Sequence, residues 1–237
     1  MEPTNNPVPK HIGIIMDGNR RFAKRLMLKP WKGHEWGADK VEKLMDWCHE
    51  LGVEEVTLYA FSLQNFDRPK DEFAQLMRIF EETAIRVLED ARVARYDMRI
   101  NFIGRMSLFP NKLQRLMEEI MEQTKDHKAH ILNIAIGYGG REEVLEATYK
   151  IAQKVKHGEL RAKDINEDVF EKELYNQSPP DLIIRTGGEN RTSNFLIWQS
   201  AYSEWMFYEK KYWPEFEKED LKACIEEYKN RHRRFGK

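Results

Sequence analysis

Cysteine is scarce in this sequence, and long hydrophobic runs are absent. Only Cys48 and Cys224 occur in 237 residues, which excludes a disulfide framework and a four-cysteine zinc site. No apolar run approaches the roughly 20 residues that a membrane-spanning helix needs. Residues 1–10 are polar, contain three prolines and lack the apolar core of a signal peptide. We therefore expect a cytoplasmic protein with a flexible tail at 1–10 and a single domain at 11–237.

The sequence also lacks an excess of charge of either sign. It has 39 lysine and arginine residues against 40 aspartate and glutamate residues, a formal net charge of −1. Proteins that bind nucleic acids generally carry a basic excess, so this balance argues against that class. Any anion site must therefore be a local cluster of cations. With 41% hydrophobic and 33% charged residues, the composition is that of a folded globular protein.

Short apolar runs alternate with longer amphipathic stretches along the chain. The runs are apolar over most of their length, which is typical of parallel strands covered on both faces. They predict strands at His11–Met16, Glu55–Phe61, Met98–Ile103, Ile131–Ile136, Asp181–Arg185 and Trp205–Tyr208. Helical spacing between them, as at Val41, Leu44 and Cys48 before a terminating Gly52, predicts the intervening helices. We predict an α/β fold with a central parallel six-stranded sheet flanked by helices.

Several common active-site motifs are absent. Gly137-Tyr138-Gly139-Gly140 is not a dinucleotide fingerprint, because Glu142 stands where the last glycine would be. His34-Glu35 does not continue to a second histidine, because position 38 is Ala38. The sequence has no phosphate loop, no Gly-x-Ser-x-Gly elbow and no Asp-Asp-x-x-Asp cluster. No motif in the sequence therefore supports a nucleotide-binding, hydrolase or zinc-protease function.

Polar residues follow the first predicted strand, at the edge where such sheets bind ligands. Asp17 is a carboxylate at the strand tip, Gly18 permits a close turn, and Asn19 is suited to cap a helix. Helix amides together with Arg20 and Arg21 suit a phosphate, and a carboxylate beside a phosphate suits Mg²⁺. The alternative is a capped helix with arginines that face solvent.

The fifth strand leads into the strongest anion signal of the chain. Arg185 and Arg191, with Thr192 and Ser193, surround the pair Gly187-Gly188. Arginine forks match phosphate oxygens, and the glycines let backbone amides approach an anion. The alternative is a set of surface arginines around a turn. Residues 61–69, after the second strand, alternate polar and aromatic side chains and suit a ligand with an apolar tail, or form an ordinary polar loop.

Two further features lie near the end of the chain. Glu204 stands in an aromatic stretch, where a carboxylate needs a metal ion or an arginine as partner. A salt bridge at the edge of the core would also satisfy it. Residues 231–237 are basic, which fits either a solvated helix end or a segment that docks onto a site, including one on a neighbouring subunit.

Together these segments resemble the cis-prenyltransferase family, which includes undecaprenyl and dehydrodolichyl diphosphate synthases. The match runs from His11-Ile12-Gly13-Ile14-Ile15-Met16-Asp17-Gly18-Asn19-Arg20-Arg21, through Gly33-His34, 61–66 and 185–199, to Arg234-Phe235-Gly236. The resemblance implies a single catalytic domain that elongates an allylic prenyl diphosphate with isopentenyl diphosphate, with Mg²⁺ as cofactor. It also implies a homodimer, a product used for glycosyl carrier lipids, and peripheral membrane contact through that lipid product.

The resemblance further assigns roles to residues. Asp17 and Glu204 would hold Mg²⁺, and Asp17, His34, Ser62 and Asn65 would act at the reacting groups. Substrates would be bound by Gly18, Asn19, Arg20, Arg21, Phe22, Lys29, Phe66, Arg68, Arg185, Arg191, Thr192 and Ser193, with Arg234 and Gly236 completing the partner subunit's site.

The sequence departs from the family pattern at Pro30, where most members have an arginine four residues before the histidine. Either Lys29 substitutes for that arginine or the allylic diphosphate binds more weakly. The helices near Val41 and Phe73 line a product tunnel or form ordinary core, and we favour core for most of them. Two alternative functions are a catalytic subunit that is inactive without a related subunit and a non-catalytic subunit that binds prenyl diphosphates.

Overall fold

The computed structural model describes residues 7–231. Within that range six parallel strands form one sheet in the order β3-β4-β2-β1-β5-β6. The strands are β1 His11–Ile15, β2 Glu55–Ser62, β3 Met98–Ile103, β4 His130–Tyr138, β5 Leu182–Thr186 and β6 Glu204–Tyr208. The predicted α/β class and all six predicted strands are confirmed, with small shifts at the strand ends.

Eight α-helices connect and cover the strands in the described part of the chain. They are α1 Asn19–Arg25, α2 Pro30–Leu51, α3 Lys70–Glu89, α4 Ala91–Arg95, α5 Asn111–Thr124, α6 Gly140–Lys156, α7 Glu167–Glu171 and α8 Lys218–Asn230. The long helices match the predicted apolar periodicity, and α2 ends at Gly52 in the left-handed conformation, as expected. None of the helices in residues 7–231 has the length and apolarity to cross a bilayer.

The core has two parts, one on each face of the sheet. On β1, Ile12 and Ile14 pack into the larger part with side chains from α2, α3, α5 and α8. Ile15 points to the other face, where Phe195 and Leu196 are fully buried. Burial on both faces explains why the strand sequences read as nearly continuous apolar runs.

Strand register brings the ends of the three central strands to one edge of the sheet. Ile15, at the end of β1, lies opposite Tyr59 of β2 and Arg185 of β5. The residues that follow these positions therefore emerge side by side, although they are far apart in the chain. This edge carries the polar segments singled out in the sequence.

Two glycines shape the turn after β1. Gly18 is the N-cap of α1 at a φ of 100°, and a Cβ there would collide with the Tyr212 ring. Gly33 lets α2 approach α1 so closely that a Cβ would overlap the backbone oxygen of Asn19. The prediction that Asn19 caps α1 is wrong, because Asn19 is the first helical residue and its amide donates to Met16 O at 3.2 Å.

Candidate active site

Asp17 lies between two arginines at the carboxyl edge of the sheet. Its Oδ2 accepts a hydrogen bond from Arg185 Nη2 at 2.7 Å, and its Oδ1 lies 3.2 Å from Arg21 Nη2. The amide of Gly18 also donates to Oδ1, at 2.6 Å. The turn after β1 supplies Asp17, α1 supplies Arg21 and β5 supplies Arg185, so three segments converge on one carboxylate. The predicted convergence of the first and fifth strand ends is therefore present.

Arg185 also fixes the loop that follows β5. Its Nη1 donates to Ser193 Oγ at 2.7 Å and to the carbonyl oxygen of Arg191. Glu189 lies 2.7 Å from Arg21 Nη1 and 2.6 Å from Arg191 Nη1, so it links the two anion-binding segments. Buried Arg185 is thus a structural anchor, whereas Arg191 is exposed and available to a ligand.

A second cluster forms around Glu72, in the first turn of α3. The carboxylate is buried, accepts a hydrogen bond from Arg68, and lies 3.5 Å from Arg20 Nε and 3.8 Å from His34 Nε2. The His34 imidazole and then the Arg68 and Arg20 guanidinium groups lower the pKa of Glu72 to about 2. Burial lowers the pKa of His34, so its imidazole is neutral at pH 7.

We expect Glu72 to make the stability of the protein depend on acid pH. Its pKa is lower in the folded chain, about 2 against 4.5, so its stabilising contribution is complete above about pH 4.5 and lost as the pH falls toward 2. Between pH 5 and pH 2 the wild-type chain should lose about 3 kcal/mol more free energy of unfolding than the Glu72→Gln variant. Urea unfolding at several pH values measures this difference.

Glu82→Gln is the matched control, since Glu82 lies on the same helix and is exposed beside Arg78. Its stability profile should follow that of the wild-type chain. Parallel profiles for Glu72→Gln and the wild-type chain would show that the Glu72 cluster does not stabilise the fold.

Ser62 and Asn65 form a reciprocal cap after β2. The backbone amide of Ser62 donates to Asn65 Oδ1 at 3.0 Å, and the Ser62 side chain accepts from the backbone of Asn65. The cap starts a 3-10 helix at Leu63–Asp67 and fixes Asn65 at the edge of the sheet. Asn65 thus lies where polar and apolar cavities meet.

Three adjoining cavities meet at this edge. One, called here the Arg21 pocket, is lined by Met16, Asp17, Gly18, Asn19, Arg20, Arg21, Lys24, Leu28, Pro30, His34 and Arg68. The second, the Arg185 pocket, is lined by Asp17, His34, Ser62, Asn65, Arg68, Arg141, Glu142, Arg185, Arg191 and Ser193, among others. The third, the apolar channel, shares Asn19, His34, Asn65 and Arg68 with the polar pockets.

The apolar channel runs between the sheet and helices α2 and α3. Its walls include Val41, Leu76, Ala84 and Val87, and its volume is about 140 Å³, space for on the order of ten waters. Because nearly all its walls are hydrocarbon, the channel suits an apolar chain better than water. The sequence interpretation of these helices as core is correct for much of their surface, yet Val41 and α3 also line this channel.

Unpaired buried polar atoms are concentrated in these cavities. The described residues contain five buried side-chain nitrogen or oxygen atoms without a hydrogen-bond partner. Four of them belong to cavity-lining residues, namely Asn19 Oδ1, His34 Nε2, Arg68 Nε and Arg185 Nε. Leaving such an atom unpaired costs about 1–3 kcal/mol, so their clustering points to a polar ligand.

Twelve of the predicted site residues line the three cavities. They are Asp17, Gly18, Asn19, Arg20, Arg21, His34, Ser62, Asn65, Arg68, Arg185, Arg191 and Ser193. Phe22 packs on Trp36, Phe66 packs in a cluster with Phe61 and Phe73, and Thr192 is exposed outside the cavity walls. Arg234 and Gly236 lie outside the described residues.

Lys29 does not take the place of the family arginine in this structure. Its ammonium group lies 5.9 Å from the centre of the Trp31 ring, and Pro30 rather than Lys29 lines the Arg21 pocket. Both alternatives left by the sequence, a substitute role for Lys29 and weaker binding of the allylic diphosphate, therefore stay predictions.

Glu204 is placed at the opposite edge of the sheet from Asp17. It begins β6 opposite Leu182, whereas Arg185 lies opposite Ile15. Five residues of strand, roughly 16 Å, therefore separate Glu204 from the level of Asp17. The carboxylate instead pairs with Arg231 at 3.0 Å. Because Mg²⁺ binds its ligands at about 2 Å, Asp17 and Glu204 of one chain do not reach the same ion, and the role of Glu204 in holding Mg²⁺ stays a prediction.

Sequence reasoning missed several residues of the site. Glu72 and Glu189 were not considered, although their position beside motif arginines was a usable signal. Arg141 and Glu142 line the Arg185 pocket after β4, and the Gly-rich segment before them was tested only as a dinucleotide motif. Asn194 joins them, since its side chain accepts from Arg141 N at 2.9 Å and donates to Glu142 at 3.0 Å.

The donor set fits a magnesium ion only if the substrate supplies most of the ligands. The described residues hold no cluster of three or more His, Cys, Asp or Glu side chains that would bind a metal alone. Mg²⁺ typically uses one or two carboxylates together with substrate phosphates and water. Asp17, beside an arginine-lined pocket, is suited to be that carboxylate.

Comparisons with known proteins show similarity over nearly the whole chain. Residues 15–236 match the Prenyltransf family model, which describes an undecaprenyl diphosphate synthase. The chain is 47% identical over 232 residues to the tritrans,polycis-undecaprenyl-diphosphate synthase (geranylgeranyl-diphosphate specific) of Methanopyrus kandleri, covering 97% of this chain and 85% of that protein. It is 42% identical to the isoprenyl transferase of Thermus thermophilus, covering 100% of this chain and 92% of that protein.

A solved structure matches as well. Lavandulyl diphosphate synthase from Lavandula x intermedia, crystallised with dimethylallyl diphosphate, superposes with a TM-score of 0.93 at 35% identity. The match covers 97% of this chain and 99% of the lavender chain.

Proposed function

Since the chain belongs to the undecaprenyl diphosphate synthase family and is a prenyltransferase of the cis type, we propose that it condenses isopentenyl diphosphate with an allylic prenyl diphosphate. The product is a polyprenyl diphosphate of the kind used for glycosyl carrier lipids. The observation that supports this most is the junction of two arginine-lined pockets, rich in unpaired buried polar atoms, with an apolar channel. We also propose a cytoplasmic enzyme in peripheral contact with a membrane.

We assign the allylic diphosphate to the Arg21 pocket. The amides at the start of α1 and the guanidinium groups of Arg20 and Arg21 face this pocket, and both favour an anion. The prenyl tail would then enter the adjoining apolar channel past His34 and Asn65. Geranylgeranyl diphosphate is our proposed primer, since the Methanopyrus kandleri relative is named for it.

We assign isopentenyl diphosphate to the Arg185 pocket. Exposed Arg191 and the hydroxyl group of Ser193 are available to its diphosphate, while Arg185 holds the loop that carries them. Asp17 borders both pockets and would therefore lie between the two diphosphates. Bound Mg²⁺ would neutralise charge on the departing diphosphate.

The chemistry requires one bond to break, one to form and one proton to leave. The C1–O bond of the allylic substrate breaks, and its diphosphate departs toward Arg20 and Arg21. C4 of isopentenyl diphosphate bonds to that C1, and a proton then leaves C2. We propose that Asn65, which lies where the Arg185 pocket and the apolar channel meet, or its neighbour His34 assists removal of the proton.

The homodimer that the family resemblance implies is also a proposal. Arg234 and Gly236 of a second copy would complete the Arg185 pocket. A heteromer with a related subunit is the alternative. Light scattering on the purified chain measures the molar mass of the assembly and so gives its number of subunits.

The proposed function is tested by incorporation of radiolabelled isopentenyl diphosphate into lipid by the purified chain. Geranylgeranyl and farnesyl diphosphates serve as primers, with and without EDTA, and thin-layer chromatography resolves the products. We expect incorporation that needs a primer, stops in EDTA and returns with Mg²⁺. Activity only after addition of a related subunit would favour the heteromeric catalytic subunit, and binding of prenyl diphosphates without incorporation would favour the non-catalytic subunit.

Filling the apolar channel should shorten the product. Ala84 is buried on α3, about three turns beyond Glu72, and lines the channel. In Ala84→Phe the bulky ring would block the path of the growing chain, so we expect shorter products at a similar initial rate. Thin-layer chromatography of the products measures their length.

Ala74→Phe is the matched control for this prediction. Ala74 is exposed on the same helix, so its substitution should leave product length unchanged. Products of wild-type length from Ala84→Phe would show that the prenyl chain does not occupy this channel.

A further inference from the structure

The turn between α1 and α2 carries the most exposed large hydrophobic side chain in residues 7–231. Met27 is 94% exposed, and its neighbours Leu26 and Leu28 are 43% and 40% exposed. Met27 also adopts a left-handed backbone conformation, with a φ of 57°, which is uncommon outside glycine. Three consecutive apolar side chains therefore project from one turn, and scattered surface hydrophobics do not usually occur in this way.

Cations flank these apolar side chains on both sides. Lys24 and Lys29 form no ion pair within residues 7–231, while Arg25 pairs with Glu215 and Lys32 with Glu35. The unpaired lysines leave residues 24–32, called here the basic tip, with a net positive charge. Exposed aliphatic side chains between lysines are typical of segments that lie in the interface of an anionic bilayer.

The basic tip also borders the proposed active site. Lys24, Leu28 and Pro30 line the Arg21 pocket, which joins the apolar channel at His34 and Arg68. A membrane surface at this tip would therefore lie beside the Arg21 pocket, which joins the channel proposed to hold the apolar chain.

We propose that the basic tip docks the chain on an anionic lipid bilayer, with Leu26, Met27 and Leu28 inserted among the headgroups. This inference rests on the proposed function in one respect, namely that the product is a lipid. A second copy of the chain is a poorer occupant, because a two-fold contact would bring the unpaired lysines of both copies together. The charge of the tip matches phosphate headgroups instead.

The test is cosedimentation of the full chain with vesicles of phosphatidylglycerol or of phosphatidylcholine. We expect the wild-type chain to bind phosphatidylglycerol vesicles at least about tenfold more tightly, and to be released as ionic strength rises from about 0.05 to about 0.5 M. Met27→Asp should weaken binding about tenfold or more, since it places a negative charge at the apolar tip. The control Leu108→Asp, at an exposed leucine after β3, should bind like the wild-type chain.

A labelled cysteine reports where the membrane contacts the chain. The native Cys48 and Cys224 are buried, so Met27→Cys can be labelled selectively with a polarity-sensitive dye. Its emission should shift to the blue with phosphatidylglycerol vesicles, whereas dye at Leu108→Cys should not respond. Equal responses at both positions, or unchanged binding of Met27→Asp, would overturn the proposal. Absence of binding by the wild-type chain, with a change of oligomeric state in Met27→Asp, would assign the tip to a second copy.

These outcomes are separate from those of the activity assay. Met27 does not line the pockets, so Met27→Asp should incorporate isopentenyl diphosphate without vesicles within about twofold of the wild-type rate. Failure of all incorporation together with specific vesicle binding would overturn the proposed function and leave membrane docking in place.

Discussion

Replacing Asp17 by asparagine should reduce incorporation of isopentenyl diphosphate by about a thousandfold or more. Asparagine keeps the shape of the side chain and removes its charge. The variant therefore loses the carboxylate suited to Mg²⁺ and leaves Arg21 and Arg185 without their shared counter-ion. Steady-state incorporation, with both substrates varied, measures the loss, and an unchanged unfolding midpoint would show that the fold survives.

Glu189→Gln is the control for this prediction. Glu189 also contacts Arg21 and Arg191, but it lies outside the cavity walls and is more exposed. We expect its activity to stay within about tenfold of the wild-type value, since exposed ion pairs contribute little. The proposed role of Asp17 would be wrong if Asp17→Asn kept more than about a tenth of the activity.

Arg185→Met should damage both activity and stability. Arg185 is buried and is the only described side chain that links Asp17, Ser193 and the carbonyl group of Arg191. Its removal leaves Asp17 without one charged partner and releases the loop, so we expect activity to fall by at least about a hundredfold. Breaking such a buried pair costs about 3–5 kcal/mol, which urea unfolding measures.

The Arg191→Met variant should weaken binding of isopentenyl diphosphate without lowering the stability of the fold. Arg191 is exposed and pairs with Glu189 alone, so its loss should leave the free energy of unfolding within about 0.5 kcal/mol of the wild-type value. Its activity should fall mainly through a higher KM for isopentenyl diphosphate. If Arg185→Met were as stable as Arg191→Met, the anchoring role of Arg185 would be excluded.

The fold could be predicted from the sequence because buried parallel strands have a recognisable residue pattern. Strands buried on both faces are apolar throughout, and the residues that follow them lie at one edge by topology alone. Asp17 and Arg185 could therefore be placed together without coordinates. The same rule places Glu204 at the other edge, since it begins a strand.

The sequence did not predict which side chains contact each other. Glu72 lies within reach of Arg20 and His34 only because α1, α2 and α3 pack at particular angles. The direction of Lys29, toward Trp31 instead of the Arg21 pocket, depends on the start of α2. The exposure of Met27 depends on a local left-handed turn that no residue type signals.

The two polar pockets share part of their lining, which has a consequence for repeated catalysis. Met16, Asn19, His34 and Arg68 border both cavities. After each condensation the lengthened molecule carries the head group that came from the newest unit, so this head group must shift sideways before another unit can enter. If the two diphosphates bind as proposed, the shared lining gives that head group a short path between the pockets, and we expect one enzyme molecule to carry a single chain through several rounds.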